Sequence, residues 1–256
     1  MPAGVDTRGY IAAIARELHD GERLHVGANQ VDVALAAHLA RRLWAPDLRC
    51  NIAGCWALRD ARDTTLLGRS SYERDLVADR RSTFWQARVF DDLWRTSIVF
   101  AGGLQVDGHG NANLIGVRDG ERLLVRGPGS AGLPTLTTFA PRFYMICPVH
   151  EPRFLVPEVS AVSVVGDPAT REQLGLDPNA LTAVITPIAR FEPSPGGLVL
   201  TEVADGSSVE EVATKTGFEV RAGEAVGQRA PLTPAEADVL DELMAAADRN
   251  AAERGS

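Results

Sequence analysis

Helical and extended hydrophobic patterns alternate along the first two thirds of the chain. Residues 7–20 carry apolar side chains at the spacing of an amphipathic helix, and Gly21 is a natural stop. Residues 23–26 are typical of a strand, and a glycine turn separates them from a second helical pattern at 31–43. An extended run follows at 47–52. Strand, tight turn and helix in succession predict βαβ units and a mainly parallel sheet flanked by helices, an α/β fold.

The rest of the chain continues with strands, polar loops and two further helices. Apolar runs predict strands at 96–101, 143–147, 161–165, 182–187 and 197–203. Residues 57–95 are polar and weakly periodic, which predicts long loops, and residues 208–215 predict a short helix. A threonine cap, a proline and a glutamate at the third position predict a C-terminal helix at about 233–249. Because no linker interrupts the pattern, we expect one domain over residues 1–256.

Composition narrows the class of protein. Of 256 residues, 45% are hydrophobic and 23% charged, which excludes fibrous and wholly disordered chains. A formal charge of -8 argues against a nucleic acid or an anionic membrane as partner. No run approaches the ~20 apolar residues of a membrane span, and the start lacks the layout of a signal peptide. With an odd number of cysteines, the chain is expected to be a reduced, cytoplasmic protein.

The inventory of reactive side chains predicts neither a metal nor a cofactor. Lys215 is the single lysine, and its setting fits neither a Schiff-base lysine nor a phosphate-binding Walker lysine. The five histidines do not cluster. The spacing of Cys50 and Cys55 has no second half of the type that a zinc site requires.

Two places can carry chemistry. Cys55 follows a predicted strand, where parallel sheets bind ligands, and Trp56 can form the wall of an apolar pocket. The alternative is a buried cysteine acting as a small hydrophobic residue, which is our expectation for Cys147, while Cys50 fits either interpretation. The loop Gly127–Gly132 follows a strand, so its backbone amides can bind a phosphate or an oxyanion; the alternative is a plain glycine turn.

Several segments, in order, resemble the β subunit of class I CoA-transferases of the glutaconate type over roughly residues 8–220. The segment 102–113, Gly-Gly-Leu-Gln-Val-Asp-Gly-His-Gly-Asn-Ala-Asn, is similar to a signature of that family, and Gly127–Gly132 resembles the glycine-rich loop that follows it. Residues 149–154, Val-His-Glu-Pro-Arg-Phe, resemble a further family stretch. The resemblance implies a CoA-transferase-like α/β fold (the NagB/RpiA type), a pseudo-symmetric α subunit and a thioester substrate at their interface.

The chain departs from the family at one position of chemical importance. Family transferases have a nucleophilic glutamate after the strand that begins near Pro-Asp-Leu, and this carboxylate forms the glutamyl-CoA thioester. Here the segment 50–56 reads Cys-Asn-Ile-Ala-Gly-Cys-Trp and contains no carboxylate. Ordinary CoA transfer is therefore not expected unless the α subunit supplies that group.

A decarboxylase branch of the family resembles the chain better, because it has cysteine in place of the glutamate. This resemblance implies conversion of 3-methylglutaconyl-CoA to 3,3-dimethylacrylyl-CoA and CO2 in isovaleryl-CoA biosynthesis, with CoA as part of the substrate and no added cofactor. Cys55 is the implied catalytic residue. The implied substrate-binding and CoA-binding residues are Gly54, Trp56, Gly127, Gly129, Ser130 and Ala131. The implied partner is an α-type subunit, in a heterodimer or an α2β2 heterotetramer.

Two alternatives stay open on the sequence. The chain can be a subunit of a CoA-transferase, or of a CoA-thioester or ring-cleaving hydrolase, that uses residues of the α subunit. It can also be a non-catalytic subunit that only stabilises its partner.

Overall fold

The computed structural model describes residues 6–27, 30–52, 55–57, 67, 95–130 and 132–253. These residues fall into two compact units. The terminal unit comprises described residues within 11–98 and 232–253, and the sheet unit comprises residues 6–10 and described residues within 99–231. The expectation of a single domain stays a prediction.

The terminal unit contains three helices and three short strands. In chain order they are α1 (Thr7–Ala15, which begins in the sheet unit), β1 (Arg23–Val26), α2 (Val31–Leu43), β2 (Arg49–Ile52), β3 (Cys55–Ala57) and α6 (Pro234–Ala252). Strands β1 and β2 are parallel, and β3 returns antiparallel to β2. The predicted β1 and α2 have the observed bounds, since both are set by local periodicity.

The sheet unit holds a large mixed sheet and two small ones. Its elements are β4 (Ile98–Gly102), β5 (Gln105–Asp107), β6 (Ala112–Asn113), β7 (Gly116–Asp119), β8 (Arg122–Arg126), α3 (Leu133–Phe139), β9 (Arg142–Ile146), β10 (Leu155–Val156), α4 (Pro168–Gln173), β11 (Leu181–Ile185), β12 (Ala189–Ser194), β13 (Gly197–Val203), α5 (Val209–Lys215) and β14 (Arg221–Gln228). Six strands follow one another in the large sheet in the order β14-β13-β12-β11-β9-β4. The small sheets are β10-β5-β6 and the hairpin β7-β8.

The large sheet mixes parallel and antiparallel pairs. Strand β11 is parallel to β9, and β13 is parallel to β14. Strands β11, β12 and β13 pair antiparallel, because short turns connect them and bring each one back beside the last. Buried aromatic residues fill the centre, and the rings of Phe100 and Tyr144 stack with centroids 5.0 Å apart. The predicted α/β class is confirmed, and among the described strand pairs the sheet is mixed.

Three predicted elements differ from the observed ones, one with a local hydrogen bond at its end and two with hydrogen bonds to distant residues. Helix α1 ends at Ala15, where Leu18 N–H bonds to the Ala15 carbonyl and the turn tightens. The strand predicted at 161–165 is wrong: it forms one isolated bridge, because the Ser163 and Val164 amides both donate to Ala112 O. Helix α6 runs past the predicted end to Ala252, and Asn250 Nδ2 donates to Leu67 O at 3.0 Å.

The long loops predicted at 57–95 lie almost wholly outside the described residues. Within the described segments, no helix has both the length and the apolar composition to cross a membrane.

Helix α6 begins with a complete capping box. Thr233 Oγ1 accepts from the Glu236 amide, and a Glu236 carboxylate oxygen accepts from the Thr233 amide. Glu236 also accepts two hydrogen bonds from Arg16, from Nε at 2.9 Å and from Nη2 at 2.8 Å. These bonds from Arg16 are the main cause that lowers the pKa of Glu236 to about 2.

We expect Glu236→Gln to lower the free energy of unfolding by about 1–3 kcal/mol, since it leaves a buried cap and the Arg16 guanidinium without their charged acceptor. The carboxylate stabilises the fold above its ordinary pKa, and this contribution is lost as the pH falls from about 4.5 toward about 2. Denaturant unfolding measures both effects. Glu242→Gln on the same helix breaks the pair between Arg42 and a carboxylate that is 65% exposed, so it is expected to cost less than ~1 kcal/mol. Equal losses of unfolding free energy in the two variants would contradict the stabilising role of the Glu236 carboxylate.

Candidate functional site

The first candidate place is the edge where β1, β2 and β3 meet. Val26, the last residue of β1, pairs with Ile52 at the end of β2, and Ile52 pairs with Cys55 at the start of β3. Cys55 therefore stands at the carboxyl ends of two parallel strands, the edge at which α/β sheets bind ligands. Trp56 follows it in β3 opposite Asn51. Because only two residues separate Ile52 and Cys55, the chain pairs back onto β2 as a third short strand, which the sequence did not predict. Gly54 lies outside the described residues.

The two other cysteines are buried thiols in strands or at their ends. Burial raises the pKa of Cys50 to about 11 and that of Cys147 to about 12, so both are protonated at neutral pH. A protonated thiol is a poor nucleophile and metal ligand. The expectation that Cys147 is a core residue is confirmed, and Cys50 is likewise a core residue of β2.

The second candidate place is the loop between β8 and α3. The Gly127 amide donates to Ile115 O at 2.9 Å, and the Gly129 amide donates to Leu114 O at 3.1 Å. A Cβ at Gly127 would collide with Leu114 O, and Gly129 has φ +87, so both positions require glycine. These two glycines therefore shape the loop, and their amides are already used within the fold.

The Ser130 side chain is held by a hydrogen bond, whereas its backbone amide is available as a donor. Ser130 Oγ donates to Ser163 Oγ at 3.1 Å, and Ser163 Oγ also accepts from the Leu114 amide at 3.0 Å. Among the described residues, the amides of Ser130 and Gly132 donate no hydrogen bond. The loop can therefore present amide donors at these positions, next to Ala131, which lies outside the described residues. Ser163 had no signal in the sequence that marked it as a loop support.

Within the family-like segment 102–113, the side chains of Gln105 and Asn113 make their hydrogen bonds inside the fold. Asn113 is fully buried, and its Nδ2 donates to Gln105 Oε1 at 2.8 Å and to Gly116 O at 2.9 Å. Its Oδ1 accepts from the amides of Ile115 at 2.9 Å and Gly116 at 3.3 Å. Gln105 Oε1 accepts in addition from the Ser160 amide. Asn113 thus fixes the backbone of Ile115 and Gly116 at the start of β7, next to the Leu114 and Ile115 carbonyls to which the loop's glycines bond.

A second set of signature residues closes the turn between β5 and β6. Asp107 Oδ1 accepts from the amides of His109 at 2.9 Å and Asn111 at 3.0 Å. Asn111 Oδ1 accepts from the Gly166 amide at 3.0 Å, which ties the turn to the start of α4. His109 is half exposed and lies 3.6 Å from the Asp167 carboxylate. The signature is therefore a fold-forming motif in this chain, with its side chains turned to internal partners.

A buried histidine links three segments of the sheet unit. His150 Nδ1 is 2.8 Å from Thr186 Oγ1, and His150 Nε2 is 3.0 Å from Thr216 Oγ1. Arg229, also buried, donates to the carbonyls of Pro187 and Thr186 and pairs with Glu202 at 2.8 Å. Burial is the main cause that lowers the pKa of His150 to about 4, so the ring is neutral at pH 7. The family-like segment 149–154 thus supplies a structural histidine.

The predicted site residues separate into two groups. Gly127, Gly129 and Ser130 share the loop of the sheet unit, and Cys55 and Trp56 share β3 of the terminal unit, so each group is described by itself. Within the described segments, no three His, Cys, Asp or Glu residues are grouped as metal ligands. The roles of these residues stay predictions.

Comparison with known proteins relates the chain to CoA-transferases. No protein-family model matches it. It is 31% identical over 166 residues to the B subunit of the 3-oxoadipate CoA-transferase of Pseudomonas knackmussii, a match that spans 63% of this chain and 62% of that one. It is 25% identical over 228 residues to the B subunit of the glutaconate CoA-transferase of Acidaminococcus fermentans, over 85% of this chain and 84% of that one. The chain thus spans less than two thirds of the first relative.

Solved structures share the fold. A decarboxylase, AibA/AibB, superimposes with a TM-score of 0.78 at 24% identity, over 91% of this chain and 92% of that one. Glutaconate CoA-transferase from Acidaminococcus fermentans superimposes with 0.77 at 22% identity, over 93% and 94%. IpdAB of Rhodococcus jostii RHA1 superimposes with 0.69 at 20% identity, over 97% and 99%.

The fold is that of the CoA-transferases, a class of enzymes. In sequence, the chain is similar to the B subunits of the glutaconate and 3-oxoadipate CoA-transferases. The expected CoA-transferase resemblance is confirmed at this level.

We expect the neutral His150 to make stability depend on pH. Its pKa is lower in the folded state than the ordinary 6.5, so its contribution is complete above pH 6.5 and is lost as the pH falls toward about 4, by up to about 3 kcal/mol. His150→Asn should remove much of that slope in denaturant unfolding, though it lowers stability at pH 7 because Thr186 and Thr216 lose their partner. The control His19→Asn removes an exposed histidine. If the pH dependence of the unfolding free energy were unchanged in His150→Asn, it would not come from His150.

Proposed function

We propose that the chain is the β-type subunit of a heteromeric acyl-CoA decarboxylase built on the CoA-transferase fold. The proposed reaction converts 3-methylglutaconyl-CoA to 3,3-dimethylacrylyl-CoA and CO2. CoA is part of the substrate, and the proposed reaction uses no other cofactor.

The observation that carries this proposal is the residue type at the end of β2. The segment 50–56 contains Cys55 and no carboxylate, and the backbone register pairs Cys55 with Ile52, the last residue of β2. A transferase of this fold needs a carboxylate there to accept the acyl group. The fold similarity to the decarboxylase AibA/AibB, several of whose structures are variants at one cysteine, supports the same interpretation.

The proposed reaction balances without an added electron carrier. The bond between the free carboxylate and its neighbouring carbon breaks, and its electron pair enters the conjugated system and reaches the thioester oxygen as a dienolate. One proton then adds to the carbon that lost CO2, which gives the dimethylacrylyl product. The protein must stabilise the oxygen charge, exclude water from the carboxylate and deliver a proton.

Oxyanion stabilisation falls to the loop between β8 and α3. The amides of Gly127 and Gly129 are bonded to Ile115 and Leu114, so the donors within this proposal are Ser130 and its neighbours. Gly127, Gly129 and the Ser130–Ser163 hydroxyl pair hold the loop in shape. Ala131 and Gly54 complete the binding residues in this proposal.

Cys55 suits a substrate with a free carboxylate better than glutamate does. A glutamate about 4 Å from the substrate carboxylate would add roughly 1–4 kcal/mol of repulsion, depending on the effective dielectric constant. A neutral thiol beside Trp56 removes that repulsion and leaves a less hydrated surface. In this proposal Cys55 positions the carboxylate or relays the proton, and it forms no covalent intermediate.

The partner in this proposal is an α-type subunit, in a heterodimer or an α2β2 heterotetramer. Both curated relatives are B subunits of CoA-transferases, and the decarboxylase and IpdAB neighbours carry paired names.

A CoA-transferase subunit is the second candidate, favoured by the 31% identity to the B subunit of the 3-oxoadipate enzyme. It requires that the α-type subunit supply the carboxylate, since segment 50–56 has none.

The co-expressed pair, incubated with 3-methylglutaconyl-CoA, separates the candidates. We expect CO2 and dimethylacrylyl-CoA in equal amounts, measured by gas analysis and liquid chromatography with mass spectrometry, and unchanged rates after dialysis against EDTA. Free CoA would indicate a hydrolase, and acyl exchange with added free acids would indicate a transferase. No turnover that depends on this chain would indicate a non-catalytic subunit, and each of these results contradicts the decarboxylase.

We expect Cys55→Ala to lower kcat of the pair at least tenfold, because the thiol positions the departing carboxylate or its proton. The matched control is Cys50→Ala, which removes a buried thiol of the same segment and is expected to change stability more than kcat. Steady-state kinetics with equal amounts of assembled pair measure both. Full kcat in Cys55→Ala would show that Cys55 only fills space.

A further inference from the structure

The hairpin β7-β8, residues 116–126, exposes an unusual run of apolar side chains and is called the arm below. All five residues of β8 are exposed, with Leu123 at 44%, Leu124 at 52% and Val125 at 48%. Ile115, at the base of the arm, is 46% exposed. Single exposed apolar residues are ordinary on protein surfaces, whereas a contiguous group of them indicates a contact surface.

The arm has no covering element in the part of the chain that the structure describes. Strand β8 pairs there only with β7, and the two strands form a sheet of their own. The register shifts by one residue between Val117 and Arg118, so the chain bulges at Leu124 and the ladder is interrupted. A bulged strand is a poor template for a further strand. We therefore expect a partner to contact the side chains of residues 123–125 and not to add a strand to β8.

Charge distinguishes a second copy of this chain from a different partner. Arg122 and Arg126 flank the apolar run, and both are exposed. The arm also exposes Arg118, Asp119 and Glu121 around its turn, outside that run. A two-fold contact between copies centred on Leu124 would set Arg122 of one copy against Arg126 of the other, and like charges facing each other are destabilising. The arm fits a foreign surface with an apolar centre and carboxylates on both sides.

The arm is built onto the candidate oxyanion loop. Asn113 holds Gly116, the first residue of β7, through both the amide and the carbonyl of that glycine. Directly after β8, the Gly127 amide bonds back to Ile115 and the Gly129 amide to Leu114. A partner seated on the arm therefore adjoins the backbone that shapes the loop around Ser130.

We propose that the arm is the docking surface for the α-type subunit, which contacts it with an apolar patch flanked by carboxylates. This inference rests on the proposed function only for the identity of the partner. To the proposed function it adds which surface the partner contacts and the chemistry of that surface. It also adds that this surface is continuous with the loop around Ser130, because one stretch of backbone forms both the arm and the loop.

The test is assembly with the A-type CoA-transferase subunit of the source organism, co-expressed and measured by light scattering and by titration calorimetry. We expect Leu124→Glu to raise Kd at least tenfold, since it adds a charge to the apolar centre. The double variant R122E/R126E should also raise Kd at least tenfold by facing the partner's carboxylates with like charge. The matched control is Leu174→Glu, the same change at an apolar residue that is 59% exposed and outside the arm, and we expect it to leave Kd unchanged.

The outcomes separate this inference from the proposed function. Loss of assembly in Leu124→Glu, in a pair that shows no decarboxylation, supports the docking surface and contradicts the function. Unchanged assembly in both arm variants overturns the docking surface, whatever the pair catalyses. So does self-association of this chain alone that Leu124→Glu abolishes, because the arm would then join two copies. Slow hydrogen exchange of the β8 amides in the chain alone, unchanged on adding the partner, would also overturn it, because the arm would then be covered by its own chain.

Discussion

The buried amide of Asn113 is the contact on which the rest of the sheet unit's candidate site depends. It makes four hydrogen bonds, to Gln105, Ile115 and twice to Gly116, and it is wholly inaccessible to solvent. A buried polar group is costly unless it is satisfied, so an amide with all its bonds made specifies one arrangement of the backbone around it. That arrangement joins β6 to β7, and Leu114 and Ile115 then offer their carbonyls to the loop that follows β8. The arm, the glycine loop and the signature are one hydrogen-bonded assembly.

Other buried polar side chains in the sheet unit act in the same way, as connectors between elements. Arg171 is 1% exposed, and it donates to the carbonyls of Asp177, Val165 and Thr137 while it stacks on Phe143. His150 joins two threonines from distant segments, and Arg229 joins β14 to the turn after β11. Because these groups are satisfied internally, they are poor candidates for substrate chemistry. The proposed chemistry therefore falls to other groups, namely the Ser130 amide and Cys55.

The proposed chemistry follows from the absence of a carboxylate in segment 50–56. The fold of a CoA-transferase normally brings a carboxylate to a thioester, and here the corresponding segment supplies a thiol and a tryptophan instead. In the proposed function, the scaffold binds an acyl-CoA and stabilises negative charge on its thioester oxygen. A site that stabilises an enolate but has no acyl acceptor is suited to breaking a bond beside the acyl chain, which is the physical link between fold and proposed decarboxylation.

Local patterns in the sequence determined the elements that depend on near neighbours. Strand β1 and helix α2 have the predicted bounds, and the cap at Thr233 begins α6 as its motif indicates. The prediction that Cys55 follows a strand agrees with its place after β2, whereas β3, which Cys55 begins, was not predicted. Tertiary structure decided whatever depends on residues far apart in the chain: the use of the Gly127 and Gly129 amides, the single bridge in place of a strand at 161–165, and the extension of α6 by Asn250. The reason is that hydrophobic periodicity encodes which face of an element is buried, whereas a hydrogen bond to a distant carbonyl exists only after the chain has folded.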